Sequence, residues 1–141
     1  MTSRVEPRYP HDMRPLHALL LGGALALFLG ALLSDLAYSK TFEIQWNNFA
    51  SWLIAGGLVV AALALACALF GLAPSRRTPN AILHVLFLLA TWVVGFFNAL
   101  MHARDASASM PGGLEMSVVV VVLGVVAIWF GTRAARRGGV K

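Results

Sequence analysis

Residues 81–102 read AILHVLFLLATWVVGFFNALMH. No Asp, Glu, Lys or Arg interrupts these 22 residues. As a helix at ~1.5 Å per residue they cover the ~30 Å of hydrocarbon in a bilayer. The stretch therefore predicts a membrane-spanning helix. Its polar residues are few and regularly placed. His84 and His102 are 18 residues apart, five helical turns, so they share a face. Thr91 follows His84 by seven, Asn98 follows Thr91 by seven, and Gly95 falls on the same side. A polar and small stripe on an otherwise apolar helix is expected to turn toward other helices and away from lipid. About 27 Å of helix axis separates the two histidines, too far for them to bind one metal or haem together.

Three more apolar stretches flank this one: Leu16 to Tyr38, Phe49 to Leu72, and Leu114 to Phe130. The last is dense in valine, a residue that still forms helix in lipid because the backbone must bond to itself there. Of 141 residues, 59% are hydrophobic and 12% charged, against ~25% charged in soluble domains. These figures exclude a soluble enzyme, a disordered chain and a disulfide scaffold. The expected fold class is all-α, an integral membrane four-helix bundle. A single four-span domain over 16–131 would follow an N-terminal segment 1–15 and precede a basic tail 132–141. Pro74 to Pro79 read as a polar turn, with Asn80 as the cap of the third helix. Pro111-Gly112-Gly113 break the chain before the fourth span. Phe42 to Asn48 read as an outer loop, and Tyr38, Trp46 and Trp52 as an aromatic belt.

Charge sets the expected direction. Arg4, Arg8, Arg14, Arg76, Arg77, Arg133, Arg136, Arg137 and Lys141 are nine of the eleven basic residues, and all fall on one side of the four spans. Only Lys40 and Arg104 fall on the other. The positive-inside rule then puts both termini in the cytoplasm of a bacterial inner-membrane protein. The net charge of +5 reads as membrane topology, with no nucleic-acid partner. Ala37-Tyr38-Ser39 faintly resembles a signal-peptidase site, but the run before it exceeds the 7–15 residues of a signal core. The single cysteine, Cys67, makes no internal disulfide. No metal site is expected.

The two halves echo each other. His17 opens span one as His84 opens span three, and Phe70-Gly71 before Arg76-Arg77 matches Phe130-Gly131 before Arg136-Arg137. A duplicated two-helix hairpin accounts for this, with a pseudo-two-fold axis along the membrane normal. A basic stop after every inward-going helix would give the same pattern. His17 and Asp35 are also 18 residues apart. Parallel spans one and three would bring His17 near His84, and Asp35 near His102. Gly22, Gly23, Gly30, Gly56 and Gly57 read as helix-packing residues and carry no chemistry.

Arg14-Pro15-Leu16-His17, Gly30 with Asp35, Gly56-Gly57-Leu58, Gly71 and Asn98 resemble the bacterial membrane proteins known as domain of unknown function 2231. The resemblance covers roughly Arg14 to Phe130. Family members often carry a second proline after the first histidine and another histidine further in. Here Ala18 stands in the first place, and Leu20 to Gly23 hold no histidine. Some relatives are joined to cytochrome c or Rieske-like modules, which implies a respiratory neighbourhood.

Three functions fit these residues. The first is an accessory or assembly subunit near redox machinery, held in a homo-oligomer or larger membrane complex. In that case His84→Ala changes assembly more than any turnover. The second is an electron-transfer subunit with b-type haem as cofactor, His17 and His84 as axial ligands, and Arg14 with Arg76 or Arg77 toward the propionates. The third is an oligomeric small-solute or proton pathway along Asp35, Thr91, Asn98 and His102. No catalytic residues are expected: the chain has no nucleophile elbow, zinc helix or phosphate loop. Asp35 with His102 reads as an acid–base pair or, more simply, an ion pair at the outer surface.

Overall fold

The computed structural model describes residues 13–72 and 77–137. Its helices are α1 (Met13–Thr41), α2 (Ile44–Gly71), α3 (Pro79–His102), α4 (Ala106–Ser109) and α5 (Gly112–Arg137). Four of them are long and apolar enough to cross a membrane. The chain is an all-α, multi-pass membrane protein. Arg4, Arg8, Pro74, Ser75, Arg76 and Lys141 lie outside the described residues, as do the side chains of Arg14 and Arg137.

The long helices exceed the apolar runs that announce them. Residues 44–48, expected in an outer loop, form the first turn of α2. Only Phe42 and Glu43 connect α1 to α2, and the chain reverses at Phe42, whose φ is 55°. The Phe42 amide donates to the Tyr38 carbonyl at 2.8 Å, which closes the end of α1. The cap of α3 also differs from expectation. Thr78, not Asn80, is the N-cap, and its hydroxyl accepts from the Ala81 amide at 3.2 Å. Pro79 takes the first helical position, where its missing N–H costs nothing.

The helices stand in a ring ordered α1, α2, α3, α5. α1 packs mainly on α2 and α3 mainly on α5, with smaller contacts closing the ring between α2 and α3 and between α1 and α5. α1 and α3 therefore face each other across a diagonal. The expected approach of spans one and three occurs, but through side chains that meet at the centre of the bundle. The core is built largely of small residues: Ala24, Ala31, Ala50, Ala61, Ala64 and Ala127 are all buried. Lipid tails are as apolar as leucine, so close van der Waals packing and hydrogen bonds must hold such a bundle. Leu19, Leu33, Val59, Leu86 and Val122 point outward, where lipid solvates them.

Along the diagonal the register is constant. His17 meets His84, and Asp35 meets His102, each pair 67 residues apart. Phe28 lies against Gly95, the same interval on.

Candidate functional site

The polar stripe of α3 is buried as expected: His84, Thr91, Asn98 and His102 all face the bundle. What makes room for it is a matching stripe on α5. A Cβ on Gly131 would fall 2.9 Å from the His84 ring, and one on Gly113 would fall 2.8 Å from the His102 ring. Gly124 lies opposite Thr91, and Ser117 bonds Asn98. Each large polar side chain of α3 thus faces a small residue on antiparallel α5. From the sequence Gly113 reads only as part of a chain break and Gly131 only as part of the repeat, while Ser117 and Gly124 carry no expectation. Their spacing of four, seven and seven mirrors the seven, seven and four of His84, Thr91, Asn98 and His102, a signal that was available.

Two histidine centres result, one at each end of the bundle. At the end holding the α1–α2 connection, His102 Nε2 lies 2.8 Å from Asp35 Oδ1. Its Nδ1 lies 3.0 Å from the Asn98 carbonyl. The Ser117 hydroxyl donates to Asp35 Oδ2 at 2.5 Å and accepts from the Asn98 amide at 2.8 Å. Asp35 has 0% exposure, so the pair is not at the surface as expected but enclosed by three helices. Both ring nitrogens of His102 face oxygen acceptors, so both need a hydrogen. The Asp35–His102 pair then carries no net charge, which is what lets it sit in the bundle. Nearby, the buried Ser109 hydroxyl donates to Asn47 Oδ1 at 3.1 Å and ties α4 to α2. An open polar cavity of about 530 Å³ adjoins this centre, with His102, Asn47, Asn48 and Arg104 among its walls.

At the end holding the termini, His17 Nε2 and His84 Nε2 are 3.1 Å apart, with the rings edge to face. His84 Nδ1 lies 2.7 Å from the Ala127 carbonyl. That carbonyl only accepts, so His84 Nδ1 carries a hydrogen. In a neutral pair His84 Nε2 is then bare, and His17 Nε2 donates to it. His17 Nδ1 is left as a buried acceptor with no hydrogen-bond partner among the described residues. This order has a spectroscopic test. In ¹⁵N spectra of histidine-labelled protein, His84 is expected as the Nδ1-protonated tautomer, and Gly131→Ala, which crowds that ring, should shift its signals. A wild-type His84 protonated only on Nε2 would refute the arrangement.

This pair does not fit the expected haem. Two axial nitrogens each ~2 Å from an iron stand ~4 Å apart across it. His17 and His84 are instead closed on each other at hydrogen-bonding distance. Arg77, one of the residues expected near the propionates, turns back to the Leu72 carbonyl at 3.4 Å. Among the described residues no group of three His, Cys, Asp or Glu side chains is arranged for a metal.

Beside the pair is a cavity of about 330 Å³, lined by His17, His84, Leu21, Cys67, Ile128 and neighbouring small residues. It does not continue to the other centre. Ala24, Phe28, Ala61 and Val120 pack into one buried cluster between them. The space left beside Thr91 is about 10 Å³, room for a single water at most. Thr91 satisfies its hydroxyl on the Phe87 carbonyl.

Comparison with curated proteins gave no match. Comparison with solved structures gave none either. A family model described as predicted membrane protein, DUF2231, matches residues 13–141. That span takes in all five helices and both histidine centres, and the chain belongs to this family.

Proposed function

We propose that this protein is a non-conducting accessory subunit of the bacterial inner membrane that holds a small lipid-soluble molecule beside His17 and His84. The observation that carries the reading is the cavity of about 330 Å³, mostly apolar, with the His17–His84 pair on its wall. Largely apolar pockets with a few placed polar groups are the usual form of small-molecule sites. Both termini lie in the cytoplasm, a direction supported by the nine-to-two split of basic residues. The cavity then opens on the cytoplasmic side. Work beside respiratory machinery, in a homo-oligomer or larger complex, is the setting that the family resemblance implies.

A solute or proton pathway is disfavoured by the packed cluster between the two centres. Protein purified in native lipid should carry a stoichiometric lipophilic compound, identified by mass spectrometry of an organic extract. His17→Phe should lose it. Proteoliposomes should show no proton flux above empty vesicles. A compound-free extract or a clear flux would each refute the reading.

A further inference from the structure

The outward face of α5 changes character at the end that holds the termini. We propose that its last turns, at Trp129, Arg133 and Arg136, bind the headgroup of an anionic phospholipid in the adjoining leaflet. None of the three lines the cavity beside His17 and His84, so this site stands apart from the ligand-holding reading.

Position comes first. Val118, Val122, Val125 and Trp129 are all exposed, and their spacing of four, three and four draws one stripe along α5. The small and polar faces of the bundle turn inward, so this apolar stripe meets lipid. Arg133 and Arg136 continue it by four and three, and both are exposed. They therefore stand over lipid. Depth comes second. From Leu114 to Arg133 is 19 residues, ~28 Å of helix axis. That puts Arg133 where ~30 Å of hydrocarbon gives way to headgroups. Orientation comes third. A long basic side chain at the end of a spanning helix usually snorkels out toward water. Arg133 does the reverse: its Cζ lies 4.6 Å from the centre of the Trp129 ring, one turn back toward the middle of the bilayer. The ring attracts the charge, but a guanidinium has five N–H donors that want oxygen. At this depth lipid phosphate is the acceptor at hand, and arginine grips phosphate through two N–H groups at once. Arg136 adds a second positive charge on the same face, and like charges so spaced repel unless an anion joins them. Charge balance chooses the lipid. This end of the chain carries nine basic residues and two acidic ones, Glu6 and Asp12. Even with both acids paired, seven positive charges remain. That surplus favours a phosphate with no ammonium beside it.

The test uses the full chain in detergent. Phosphatidylglycerol and phosphatidylcholine with identical acyl chains are added in equal amounts, and bound lipid is read by native mass spectrometry. Each arginine near the lipid surface is worth about fivefold, so phosphatidylglycerol is expected to be preferred by about 25-fold. Arg133→Gln and Arg136→Gln should each remove about fivefold of that preference. Trp129→Leu keeps every charge but takes away the ring that holds Arg133, and should cost about two- to fivefold. Arg77→Gln removes a charge from the same end but outside the stripe, and Arg104→Gln removes one from the opposite end. Both should leave the preference within about twofold of wild type, less than one arginine at the lipid surface is worth. All five side chains are exposed, so the variants should fold. Equal binding of the two lipids overturns the proposal. Equal losses in Arg77→Gln and Arg133→Gln, or no loss in Trp129→Leu, overturn it too, because the attraction is then diffuse charge without a site. Displacement of phosphatidylglycerol by an equal concentration of inorganic phosphate would overturn the lipid assignment.

Discussion

Asp35→Ala is expected to be the most damaging single substitution in the chain. The carboxylate has 0% exposure and accepts from His102 at 2.8 Å and from Ser117 at 2.5 Å. Removing it strands a buried histidine, 4% exposed, whose Nε2 loses its oxygen partner. Breaking one partner of a buried pair costs about 3–5 kcal/mol. Unfolding in mixed micelles, followed by circular dichroism, would read this as a large drop in the denaturing detergent fraction at midpoint. The double variant Asp35→Ala with His102→Ala separates the causes. Once the carboxylate is gone, removing the ring relieves the stranded group. The double variant should therefore be less unstable than the summed singles by about 1–3 kcal/mol. Additive losses would mean that the two residues do not act as a pair.

Gly57→Ala is expected to cost about 1–3 kcal/mol, the usual effect of overfilling a packed core. Its added Cβ would fall 2.7 Å from Phe28 Cε1. Phe28 is 3% exposed, and its ring is already against Gly95 on the far side of the bundle. The ring cannot move aside without disturbing the diagonal that keeps the two centres apart. Gly22→Ala is the control. Nothing lies within 4 Å of the Cβ it would add, so it should be neutral or gain up to about 1 kcal/mol from helix propensity. Replacing Phe28 by Leu in the Gly57→Ala background should recover part of the loss. Equal effects of Gly57→Ala and Gly22→Ala would contradict the packing described here.

The contrast between these glycines shows how far apolar sequence can be read. Gly22 and Gly57 look alike in the chain, each beside a second glycine in an apolar run. One faces open space and the other a trapped ring. Periodicity says which residues share a face, but not which helix that face meets. The same limit applied to Asp35 and His102. Their spacing from His17 and His84 placed them at one end of two parallel helices. Whether they met at the surface or in the core depended on α5, whose Ser117 and Gly113 complete and shelter the pair. The start of α2 was missed for a different reason. Gln45, Asn47 and Asn48 are polar and read as a loop, but Asn47 turns inward to the buried Ser109 hydroxyl. A partner distant in sequence makes that polarity compatible with helix.

By itself the sequence determined that this is a four-span helical membrane protein and that one face of the third helix is polar. Both follow from local physics. Hydrocarbon demands long apolar runs with internally satisfied backbones, and 3.6 residues per turn sorts side chains onto faces. Only the tertiary structure decided what those polar residues do. It closed His17 on His84 at hydrogen-bonding distance, packed the centre between the two ends, and left a cavity beside the pair. The physical reason is that each outcome depends on fractions of an ångström between helices that lie far apart in the chain. Those distances are set by which small residues face which large ones, and a single hydrophobic pattern does not contain that pairing.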